Sequence, residues 1–81
     1  MTPLERVELL YRELVHHYHE ADDAELRAAT KLLMVAIAEL KRHGGPGWKN
    51  LLNEYAEIAR DDPERFERML TGNRANAVEP S

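Results

Sequence analysis

The apolar residues of this chain recur at helical spacing almost from end to end, and that rhythm leaves little alternative to an all-helical fold. Leu4, Val7, Tyr11, Leu14 and Tyr18 fall at intervals of 3, 4, 3 and 4, and Leu26, Thr30, Leu33, Ile37 and Leu40 at 4, 3, 4 and 3. At about 3.6 residues per turn, such intervals gather side chains on one face of a helix. Leu51, Tyr55 and Ile58 share a face in the same way. Ala, Leu, Glu and Arg, all strong helix formers, dominate the sequence, whereas Val, Ile and Thr are too few to build a sheet.

Local signals divide the pattern into four helices. Thr2, Pro3 and Glu5 make a Thr-x-x-Glu capping box with proline at the first helical position, so a first helix is expected over residues 3–20. Ala21-Asp22-Asp23 breaks it, and Asp22, with Glu25 three residues on, is the expected cap of a second helix over residues 23–43. Lys41, Arg42 and His43 suit its carboxyl end, and Gly44 the position just past its cap. Three glycines and a proline at residues 44–47 predict a loop. A third helix follows over 48–61, then a fourth over 63–71, capped by Asp62, opened by Pro63 and stopped by Gly72. Residues 73–81 read as a flexible tail. The expected fold is thus all-α: one domain over residues 1–72, a small helical bundle in which a long antiparallel hairpin is packed by two shorter helices. Its expected core is Leu4, Val7, Leu10, Tyr11, Leu14, Leu26, Leu33, Ile37, Leu40, Leu51, Tyr55, Ile58, Phe66 and Leu70.

A chain of 81 residues builds only a thin core, and the absence of cysteine removes disulfides and thiolate metal sites as supports. Idealised packing, self-association or both must take their place. The acidic balance, −4 overall, argues against a general nucleic-acid binder. Residues 1–5 show no basic segment leading into an apolar one, so no signal peptide is expected. The longest apolar run, Leu32 to Ala38, has 7 residues, where a bilayer span needs about 20. The chain is therefore expected to be cytoplasmic and free of the membrane.

Enzymatic chemistry finds no signature. There is no cysteine, the only serine is the final residue, and no paired carboxylates stand out. The chain is read as a non-enzyme without cofactor. Two clusters suggest other roles. His16, His19 and Glu20 would share a helical face at i, i+3 and i+4, and imidazole with carboxylate suits zinc or a similar metal. The glycines of residues 44–47, flanked by Lys41, Arg42, Trp48 and Lys49, would suit an anion or nucleotide at a helix amino end, although Gly-Lys-Ser/Thr is missing.

The stronger sign lies in the second helix, whose middle is apolar all round. Met34, Val35 and Ala38 fall off the Leu33/Ile37 stripe, so this helix is buried on two sides or meets another chain. The expected function is a small protein-interaction module (a binder, inhibitor or assembly factor), self-associating as a homodimer or higher homo-oligomer. Its expected contact residues are Trp48, Arg42, Lys41, Lys49, Tyr18, Met34, Val35 and Ala38, since aromatics and arginine dominate interface energetics.

Overall fold

The computed structural model describes residues 1–75, which form four helices: α1 (Pro3–His17), α2 (Ala24–His43), α3 (Trp48–Asp61) and α4 (Pro63–Ala75). A 3-10 turn at Gly45–Gly47 joins α2 to α3. The chain is a small all-α bundle, as its periodicity requires.

α1 begins on the expected capping box. The Glu5 N–H donates to Thr2 Oγ1 at 3.1 Å, and the Thr2 N–H donates to Glu5 Oε1 at 2.7 Å. That second bond holds the Glu5 carboxyl below its ordinary pKa. The helix ends at His17, three residues short of the expected 20. Beyond it the chain turns, with the Ala21 N–H donating to the Tyr18 carbonyl at 2.8 Å. The run from His16 to Asp23 is mostly polar, and too little apolar surface holds another helical turn against the bundle. The cap of α2 is Asp23 rather than Asp22. Its carboxylate caps no backbone N–H but accepts from Arg27 Nε at 2.6 Å, which lowers its pKa.

At the far end of α2 the glycines divide the work. Gly44 is the C-cap itself, in right-handed geometry, and Gly45 takes the left-handed φ of +66° that favours glycine. A Cβ on Gly44 would stand 2.5 Å from the Leu40 carbonyl oxygen and 2.8 Å from Trp48 Cβ, whereas one on Gly47 would meet open space. Gly44→Ala and Gly45→Ala are each expected to cost about 1–2 kcal/mol, the first by overpacking and the second by backbone strain. Gly47→Ala should cost nothing measurable, and thermal melts of the three variants side by side test the distinction.

Asp62 caps α4 as expected, its Oδ1 accepting from the Arg65 N–H at 3.2 Å. The helix does not stop at Gly72. It continues to Ala75 because Asn73 and Arg74 find partners: Asn73 Nδ2 donates to the Met69 carbonyl at 2.7 Å, and the Arg74 guanidinium forks onto the Glu8 carboxylate of α1 at 2.7–3.0 Å. Residues 73–75 therefore belong to the bundle rather than to a tail; residues 76–81 lie outside the described part. Arg74 holds the Glu8 carboxyl below its ordinary value of 4.5. A carboxyl whose pKa falls on folding stabilises the native state above its unfolded pKa, and the contribution disappears as pH drops through the lower, folded value. Glu8→Gln should accordingly lower the melting temperature at pH 7 and flatten its decline below about pH 4.5, which melts between pH 3 and pH 7 will measure.

The helices pack in a cycle: α1 on α2, α2 on α3, α3 on α4 and α4 on α1. Among these residues the buried hydrophobics are Ala24, Ala28 and Ile58. The expected core is thus overturned in part. Val7, Leu10, Leu26, Leu33, Leu51 and Tyr55 are exposed, and Leu4, Tyr11, Leu14, Ile37, Leu40, Phe66 and Leu70 are half-buried. Two alanines explain part of this. Ala24 and Ala28, next to the turn, let α1 approach closely, and Ala28 is 0% exposed. Further along the same side of α2, Leu32 is half-buried and Val35 is 62% exposed. The α1–α2 hairpin is tight at its closed end and uncovered beyond it. The Leu26–Leu40 stripe, most of it expected in the core, lies about 160° round the helix from this contact.

Candidate interaction surface

The amount of uncovered apolar surface is the most unusual property of this structure. Met1, Val7, Leu9, Leu10, Leu26, Leu33, Met34, Val35, Leu51 and Tyr55 are all exposed, and among the described residues no large side chain is fully buried. The chain presents 6667 Å² to solvent, where a folded monomer of its mass is expected to present about 5,000 Å². Setting residues 76–81 aside at the largest area a chain of their mass can expose, about 900 Å², and comparing the rest with the roughly 4,700 Å² expected of 75 residues leaves about 1,000 Å² in excess. One partner in a standard protein–protein interface contributes about 800 Å².

Six of these ten side chains lie on three apolar surfaces. One is a groove between α1, α3 and α4, where Leu4, Val7, Tyr55, Phe66, Met69 and Leu70 meet. The second lies between α1 and α2 and is lined by Leu10, Leu14, Tyr18 and Leu32, with His17 and Lys31 on its rim. The third runs along α2 alone, through Met34, Ile37, Ala38, Lys41 and Arg42. It continues toward the amino end of the helix in Leu33 and Leu26, which are 51% and 65% exposed.

The third surface gathers four of the eight residues expected to contact a partner: Met34, Ala38, Lys41 and Arg42. Lys41 links it to two more, because the ammonium groups of Lys41 and Lys49 each stand 5.8 Å from the centre of the Trp48 ring. Trp48 itself is half-buried, packed against Gly44 at the start of α3. Val35 and Tyr18 stand apart from this group, Val35 on the α1 side of the helix and Tyr18 in the second groove. Leu26, Leu33, Val7, Leu10 and Tyr55 belong to uncovered surfaces although the sequence placed them in the core. Periodicity marks an apolar face without revealing what covers it.

The histidine cluster takes a different shape from the one its spacing suggests. Because α1 ends at His17, His19 and Glu20 leave the helix and share no helical face with His16. The His16 and His19 rings stack with centroids 5.6 Å apart, His19 Nδ1 lies 3.0 Å from the His16 carbonyl oxygen, and Glu20 stands 3.8 Å from His19 Nε2. Among the described residues no group of three His, Asp or Glu side chains stands ready to hold a metal ion. The glycine segment of residues 44–47 is likewise no open cradle. It forms a 3-10 turn in which the Trp48 N–H already donates to the Gly45 carbonyl, and its two flanking lysines lie over the indole. No described helix is long and apolar enough to cross a membrane.

Comparison with protein-family models, with curated proteins and with solved structures gives no match for this chain.

Proposed function

We propose that this chain is a protein-interaction module (a binder, inhibitor or assembly factor rather than an enzyme) whose fold is completed by another protein chain, a second copy among them. The single supporting observation is the excess of uncovered apolar surface over buried core. Burying one large aliphatic side chain stabilises a fold by roughly 1.5–3 kcal/mol. Ile58 is the only one larger than alanine that is buried among the described residues. Open apolar surface of this kind is rare on a self-sufficient monomer and common at interfaces. A cytoplasmic setting belongs to the same reading, since a chain without cysteine needs no oxidising compartment.

Polar substitution on two surfaces tests it. In a self-sufficient monomer, Val7→Ser with Leu10→Ser, or Leu33→Ser with Met34→Ser, would alter stability by no more than about 0.5 kcal/mol per site, as exposed positions do. At an interface, at least one pair should reduce the mass seen by light scattering and cost about 2 kcal/mol or more. A monomeric wild-type chain whose stability neither pair disturbs, and which binds no other protein, would remove the proposal.

A further inference from the structure

Resting on that reading, we infer that the partner on α2 is a second copy of this chain, and that the two α2 helices pair antiparallel about a two-fold axis near Leu33. Two features of α2 carry this. First, Leu26, Thr30, Leu33, Met34 and Ile37 fall within an arc of about 100°, and no other described element covers the groove lined by Met34, Ile37 and Ala38. Asp23 and Lys41 stand in the same arc at its two ends. Second, charge is segregated along the helix. Glu20, Asp22, Asp23 and Glu25 gather at its amino end, with Arg27 bridging Asp23. Lys41, Arg42 and Lys49 gather at its carboxyl end, where Glu39 bridges Arg42. The exposed apolar stretch between them is nearly free of charge.

Such a face is complementary to itself only when reversed. A parallel pair sets acid against acid and base against base, whereas an antiparallel pair sets the Asp23 end of each helix against the Lys41 end of the other. Asp23 and Lys41 lie equally far from residue 32, which places the axis at the middle of the apolar stretch. Thr30 then faces Met34 of the other copy, and Asp23 faces Lys41. A two-fold pair of this kind uses the same patch on both copies and closes on itself, which gives a dimer and not a filament.

The absence of cysteine makes the geometry directly testable by single-cysteine variants of the full chain. Packed helices stand about 8–10 Å apart, and a disulfide joins Cα atoms about 4.4–6.8 Å apart. In the antiparallel pair, the two copies of residue 33 are offset along the axis by about 3 Å and the two copies of residue 26 by about 18 Å, at about 1.5 Å per residue. Leu33→Cys should therefore form covalent dimer under mild oxidation, and Leu26→Cys alone should not. A mixture of Thr30→Cys and Met34→Cys chains should cross-link with each other. Circular dichroism of each variant confirms that it has folded, and Lys41→Glu with Arg42→Glu should weaken the dimer at least tenfold at low salt. Ready cross-linking of Leu26→Cys to itself would overturn the antiparallel arrangement. A dimer in which none of these cysteines reacts, and which the charge reversal leaves unchanged, would overturn the assignment to α2 while leaving an interaction module standing. A chain that stays monomeric at every concentration would overturn the inference.

Discussion

Diluting the protein a hundredfold will lower its melting temperature by about 8 °C. If the native state is a dimer, unfolding releases two chains, and mass action makes the folded form less favourable by about 2.7 kcal/mol per hundredfold dilution. Unfolding entropy of about 2.1 cal/mol/K per residue, over the two chains together, converts that loss to roughly 8 °C. The expectation follows from the thin core: Ala24, Ala28 and Ile58 are the buried hydrophobics among the described residues, and conformational entropy opposes folding along the whole chain. Melts followed by circular dichroism between about 1 and 100 µM measure the effect. A melting temperature that does not move over this range would mean that the single chain is stable alone.

The second large effect is expected at Ile58. Its side chain is the largest apolar group that the described structure buries, near the carboxyl end of α3. Ile58→Ala removes buried methyl and methylene groups and leaves a cavity, at a cost of about 2–5 kcal/mol. For a fold of this size that is a large part of the whole stability. Urea titration will show a midpoint lowered by 1 M or more with little change in slope. A shift below about 0.3 M would show that Ile58 is not the anchor between α3 and the rest of the bundle.

The two effects belong to different levels of the structure, and so did their legibility. Ile58 stood on the expected core face and is buried. The helix starts were also readable: Thr2 pairs with Glu5, and Asp62 accepts from the Arg65 N–H, each three residues away. The ends were less so. Gly72 reads as a stop, yet α4 passes through it because Arg74 reaches Glu8, 66 positions away. His16, His19 and Glu20 share a face only if α1 continues, and it does not. Of the candidate contact residues, Met34, Ala38, Lys41 and Arg42 do come together, since all stand on one helix whose extent near them was correctly placed.

Residue order alone determined that this chain is helical, where most of its helices begin, and which arcs of each are apolar, because these depend on backbone hydrogen bonds and side-chain period within a few residues. Tertiary structure alone decided which apolar arc meets a neighbour. On α2 that choice fell to Ala24 and Ala28, whose small side chains admit α1 closely, and it turned Leu26 and Leu33 outward. Burial is a property of pairs of surfaces, and one strand of sequence specifies only half of each pair.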